Sequence, residues 1–145
     1  MAAPDTVVDF AEKLAAFDEL WSPKIIGQVN DLHVKAVKVL GEFVWHQHDD
    51  TDETFIVLAG RLTVRLEGRD DVELGPGQMF IVPRGLPHCP VAPEECHLLL
   101  LEPAGTPQHR RPARERPHRH RRVDLRPTGP PGPPRRCGGR RRGRR

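Results

Sequence analysis

Four side chains with metal-ligand chemistry stand at informative spacings. His46 and His48 are separated by one residue, Glu53 follows shortly after, and His88 leaves a turn built from Pro83, Gly85 and Pro87. On a strand, side chains two apart share a face, so the imidazoles of His46-Gln47-His48 point the same way. The loop Asp49–Asp52 leads to Glu53 at the start of another strand, and a hairpin there can return the carboxylate to that face. Three neutral imidazoles and one carboxylate suit a divalent first-row metal: nitrogen donors match Fe, Mn, Ni, Cu and Zn, and the carboxylate offsets part of the charge. His33 and His97 carry no such pattern and read as surface or internally satisfied residues. The acidic run Asp49–Asp52 lacks the glycine and spacing of a calcium loop and reads as a solvated turn. Cys89, Cys96 and Cys137 show no ligand-like spacing, so neither a disulfide framework nor a zinc site is indicated, and Cys89 beside His88 reads as an inert buried thiol.

Short strands must position these residues. After Pro23, apolar residues alternate through Ile25–Val29, an Asn30-Asp31 turn and Leu32–Leu40, which is a hairpin signal. Strands are expected at Phe43–His48, Glu53–Ala59, Arg61–Glu67, Asp71–Leu74, Met79–Val82 and Cys96–Leu101. Glycine-, proline- or aspartate-rich turns separate them, including one at Pro90–Pro93. Seven or eight such strands imply an all-β antiparallel barrel or double-sheet jelly roll. Ahead of them, Val8, Phe10, Ala11, Leu14, Ala15 and Phe17 recur at helical spacing, predicting a short N-terminal helix within 5–17 capped by Asp5 or Thr6.

The pattern resembles the cupins. Their first motif, a glycine followed by His-x-His, a glutamate and a second glycine, is matched by Gly41, His46, His48, Glu53 and Gly60. The second, Gly, Pro-x-Gly and His, is matched by Gly77, Pro83, Gly85 and His88, while the asparagine that often follows it is Ala92 here. The resemblance implies a double-stranded β-helix barrel, about 25–102. It also implies one divalent transition metal (Fe, Mn, Ni or Zn) on His46, His48, Glu53 and His88, with coordination positions left for water or substrate. Small cupins commonly form homodimers, and Val29–Leu40 is the expected contact surface. Cupins include dioxygenases, isomerases, decarboxylases, sensors and storage proteins, so two functions are open. One is a metal-dependent enzyme on a small polar molecule, dioxygenase-like or sugar-isomerase-like, and the other is a non-catalytic binding module. No general acid or base beyond the ligands stands out, and Arg65 and Arg84 read as solvated. Phe43, Trp45, Phe55 and Phe80 are expected to pack the sheets rather than line a pocket.

Composition divides the chain of 145 residues at Thr106. Residues 1–106 hold 8 Lys+Arg against 18 Asp+Glu, a net of −10, whereas 107–145 hold 15 Arg and two acids, a net of +13, which together return the overall +3. All seven aromatic residues lie in the first part. The second part is therefore expected to be a disordered tail following a single barrel domain in 1–106. No apolar run approaches the roughly 20 residues of a membrane span, and Met1–Phe17 does not resemble a signal peptide, so no membrane association and a cytoplasmic location are expected. Arginine clusters can bind nucleic acid, but another origin suits this tail better. Arginine without lysine, among eight prolines and five glycines, is what a GC-rich gene yields out of frame. Codons compatible with Pro107-Gln108-His109-Arg110, shifted by one base, read Leu-Asn-Thr-Gly, the continuation that similar small cupins often show after Glu-Pro-x-Gly-Thr. Resequencing around codon 106 is expected to restore that frame, and an intact-protein mass that fits all 145 residues would overturn the frameshift.

Overall fold

The computed structural model describes residues 5–106. The Arg-rich segment lies outside the described residues, and with it the disorder and the frameshift expected there. One short helix precedes seven strands: α1 Phe10–Ala15, β1 Lys24–Val29, β2 Leu32–Glu42, β3 Glu53–Ala59, β4 Leu62–Leu66, β5 Val72–Leu74, β6 Met79–Val82 and β7 His88–Pro103. The helix starts later than its apolar spacing suggests. Its cap is Asp9, whose carboxylate accepts from the Glu12 amide at 3.0 Å, rather than Asp5 or Thr6. Asp9-x-x-Glu12 is a capping sequence, whereas the β-branched Thr6-Val7-Val8 ahead of it disfavours helix.

The long β7 closes the barrel. Its first residues pair with β4 (Leu66↔His88 to Thr63↔Val91). Its later ones lie between β2 (Val37↔Leu98) and β3 (Phe55↔Leu100). The strand order is β1-β2-β7-β3-β6, with β4 joined to β5 and β7. Pro90–Pro93 therefore lies inside a strand, not in a turn. Pro90 is paired with Val64, and its carbonyl accepts from the Phe43 amide at 3.0 Å, so it holds its place between neighbours without an N–H of its own. Conversely, Phe43–His48 is no regular strand: His46 forms a single bridge with His88, and the segment is otherwise irregular.

Period-two alternation sorts side chains between two apolar clusters. Val37, Val39, Phe55, Val57, Leu98 and Leu100 fill the barrel, while Ala36 and Leu99, on the opposite faces of the same strands, pack with Leu14 of α1 and Ile26. The Val29–Leu40 span is thus occupied on both faces and flanked by β1 and β7, with Val29, Leu32 and Leu40 exposed.

The β3–β4 turn passes tightly over β7. Gly60 has φ +80°, and a methyl group there would meet the Glu95 carbonyl oxygen at 2.6 Å. Gly68, at φ +67°, has nothing within 4 Å of the same position. Gly60→Ala is therefore expected to lower unfolding stability by about 2–4 kcal/mol, and Gly68→Ala, which meets backbone strain alone, by about 1 kcal/mol. Equal losses in denaturant unfolding would show that the contact with β7 carries no energy.

Candidate metal centre

The two motif segments are stitched together by their backbones. His46 and His88 exchange amide-to-carbonyl bonds at 3.0 and 2.9 Å, and the Gly85 amide donates to the His48 carbonyl at 2.7 Å. Asp52, from the acidic loop, accepts from the Arg84 amide at 2.9 Å and so ties that loop to the second motif. The turn delivering His88 needs its glycine: the Leu86 amide bonds to the Pro83 carbonyl, and Gly85 stands at φ +73° as the third residue of that turn.

These ties bring all four expected residues together. Glu53 Oε2 lies 3.5 Å from His46 Nε2, 3.3 Å from His48 Nε2 and 2.7 Å from His88 Nε2. His46, His48 and Glu53 present ligand atoms within 4.8 Å of one another, a group able to hold a metal ion. His88 faces the same carboxylate oxygen, and its ring centroid is 4.3 Å from that of His46. Although the His46–His48 segment is not a strand, the two rings still turn to one side, with centroids 5.4 Å apart.

The imidazole orientation tests the chemistry. His46 Nδ1 and His88 Nδ1 each donate to a backbone carbonyl two residues earlier, Val44 and Leu86, both at 2.9 Å. With the proton on Nδ1, a neutral ring turns the lone pair of Nε2 toward the carboxylate, which is repulsive unless a cation intervenes. Protons could serve, but several imidazoliums around one buried carboxylate would leave excess positive charge in a low-dielectric site. One divalent ion can satisfy the Nε2 lone pairs of all three rings at a net +1, where three imidazoliums would leave +2, so the donor set fits a metal. Burial would push the Glu53 carboxyl up, but the close approach of the His46, His48 and His88 rings, each favouring the carboxylate once it carries a proton, outweighs it and holds the group well below the usual carboxylate range. His48 is raised, chiefly by its hydrogen bond with Glu53 against the opposing effect of burial, and the charge of Glu102 adds to the rise.

The centre opens on a cavity of about 50 Å³, bounded by Trp21, Phe43, Phe55, Leu98, Leu100 and Glu102 among others. Phe43 and Phe55 therefore line the pocket they were expected only to pack around. Phe80 packs against the core, and Trp45 is 53% exposed. Two wall residues escaped sequence reasoning. Trp21 stacks on Phe43 with ring centroids 4.7 Å apart and donates from Nε1 to the Leu40 carbonyl at 2.9 Å, but its φ of +56° has no sequence signal. Glu102 forms a buried ion pair with Lys35, Nζ to Oε2 2.7 Å. Its signal was available: Leu98, Leu100 and Glu102 alternate in phase, as do Lys35, Val37 and Val39. Arg65 and Arg84 are held on the surface by Glu42 and Asp52.

With this geometry in hand, the relatives are informative. A profile of the cupin domain matches residues 35–102. A cupin-2 domain-containing protein from Shewanella frigidimarina NCIMB 400 is 44% identical, with a TM-score of 0.65 over 67% of this chain and 94% of its own. A Neisseria meningitidis protein is 28% identical, with a TM-score of 0.63 over 68% and 100%. The Bacillus subtilis (strain 168) protein YdbB is 36% identical over 63 residues, 43% of this chain and 56% of its own. The chain thus spans little more than half the length of that curated relative. It belongs to the cupins.

Cys89, next to His88, is buried, and desolvation pushes its thiol up to about 11; Glu42 adds to the rise and Arg65 opposes it. Burial does the same to Cys96, also about 11. At pH 8 only about one such thiol in a thousand is ionised, and the thiolate is the nucleophile. In a Cys137→Ser variant, Ellman's reagent is expected to react with neither thiol on the timescale of a free cysteine and with both after denaturation. Rapid native labelling would contradict the burial.

Proposed function

We propose that the chain is a divalent-metal cupin enzyme in which His46, His48, Glu53 and His88 hold one ion beside a small cavity that receives a small polar organic substrate. The observation that carries this reading is the approach of three imidazole Nε2 atoms to the single oxygen Glu53 Oε2. The bound ion, one of Fe, Mn, Ni or Zn, would supply Lewis acidity toward substrate oxygens. The protein's own part is positional. The carbonyls of Val44 and Leu86 keep the Nδ1 protons of His46 and His88 in place and so reserve Nε2 for ligation. Phe55 sets an apolar ring edge-on near His88, centroids 6.1 Å apart, and the Trp21–Phe43 stack covers another side, so water has restricted access. The cavity of about 50 Å³ favours a compact substrate.

Metal analysis tests the site. Wild-type protein is expected to purify with, or take up, about one equivalent of a first-row ion, and His46→Ala and His88→Ala each to lower its affinity at least about tenfold. Stoichiometric metal in both variants would remove the site. Oxygen-uptake and isomerase assays on the metal-replete protein then separate catalyst from binding module, and turnover is expected in one of them.

A further inference from the structure

Away from His46, His48 and Glu53, the wall of the cavity is apolar except at Glu102. Lys35 on β2 and Glu102 on β7 are only 4% and 3% exposed, and they stand in the same alternation as Val37 and Leu100. The register places His33 opposite Glu102 and Lys35 opposite Leu100, so Lys35 and Glu102 are diagonal neighbours across the ladder, within reach of two long side chains. They meet at 2.7 Å, and Glu102 contributes to the wall of the cavity that also holds His46, His48 and Glu53. A buried ion pair is a poor stabilising device, since apolar residues of like volume often do as well or better. A buried charged pair with one member, Glu102, on the wall of a ligand cavity is more naturally explained by what that member contacts.

We propose that Glu102, oriented by Lys35, is the second polar contact of this cavity and accepts a hydrogen bond from the hydroxyl of a small hydroxylated carboxylate whose acid group lies at the metal centre. This rests on the metal reading above. The ligand class follows from charge and size. A divalent ion among neutral imidazoles and one carboxylate leaves a positive centre, which draws an anionic oxygen. At the other contact Lys35 already neutralises Glu102, so a ligand ammonium gains no net attraction there, while a neutral hydroxyl finds an acceptor among the roughly four lone-pair sites of a carboxylate. A cavity of about 50 Å³ holds about three to five water-sized groups, which matches a two-carbon hydroxy acid, and because it opens outward a three-carbon one can extend beyond it.

The test uses calorimetric titration of the metal-replete full chain with two matched pairs, glycolate against acetate and 3-hydroxypropionate against propionate. The wild type is compared with the double variant Lys35→Met/Glu102→Leu, which keeps volume and leaves no unpaired charge. In at least one pair the wild type is expected to prefer the hydroxy acid about tenfold or more, the scale of one hydrogen bond to a charged group. The variant is expected to lose that preference, bind the plain acid within about twofold of wild type, keep its metal and melt no lower. Preference due to chelation at the metal would survive in the variant and is thereby separated. Should the double variant fail to fold, Glu102→Asp, which withdraws the carboxylate by one methylene, is expected to lose the preference in the same titration. A metal-replete wild type with no preference sensitive to either variant overturns this proposal alone, and a wild type that cannot be loaded overturns the metal reading and this proposal with it.

Discussion

Three imidazole nitrogens aimed at one carboxylate oxygen impose a constraint on the rest of this barrel. In the neutral rings the Nδ1 hydrogen bonds leave lone pairs on two of those nitrogens, and lone pairs approach a carboxylate so closely only with positive charge, a proton or a cation, beside them. The surrounding structure opposes the relaxation that would spread these groups apart. His46 and His88 are bound to each other through their backbones, and His48 is bound to the turn that delivers His88. Glu53 is held at the start of β3, where it pairs with Val82 of β6. Each side chain comes from a segment fixed by hydrogen bonds to the segment carrying another, so the cluster is preorganised by the ladder, not by the ion.

The strand that makes this possible is β7. Because it pairs with β4 at one end and with β2 and β3 at the other, it sets His88 beside the irregular first-motif segment and carries Leu98, Leu100 and Glu102 down the interior. The outer faces of β2 and β7 receive the helix through Ala36 and Leu99. One face is therefore spent on the fold and the other on the cavity, with burial on both, and substitution on the inner face affects packing and chemistry together.

Much of this was legible in the residues, for identifiable reasons. Strands β1 to β6 were marked by alternation and bounded by turn residues whose φ requirements are local, and β3 and β6 fall where alternation placed them. That His46, His48, Glu53 and His88 would meet was legible because their spacing encodes hairpin and turn geometry within short stretches. What failed depended on partners distant in sequence. Pro90 reads as a breaker until its carbonyl is seen to accept from the Phe43 amide and its backbone to pair with Val64. Phe43–His48 has strand composition but finds only one bridge, because its backbone is engaged by the turn of the second motif. The helix cap was misplaced because apolar periodicity ran on into Val8, outside the helix, while the capping pattern lay at Asp9. The Lys35–Glu102 pair was visible only as two separate violations of an inward phase, on strands 67 positions apart.

Interior charge bounds what this cavity can accept more tightly than its shape does. Glu53 carries the net charge of the cluster when the imidazoles are neutral, and the Lys35–Glu102 pair adds none, so the interior stands at −1 before an ion and +1 with a divalent one. A monoanion neutralises that centre, whereas a dianion would leave uncompensated charge in a site where burial penalises it. The exterior argues the same way. Residues 1–106 carry a net −10, which opposes the approach of multiply charged anions but is screened beyond about 8–10 Å at physiological salt. On the metal reading, a small monoanion would meet a weak barrier outside and an attractive centre inside, while cations, favoured by the surface, would find no net negative charge beside the ion.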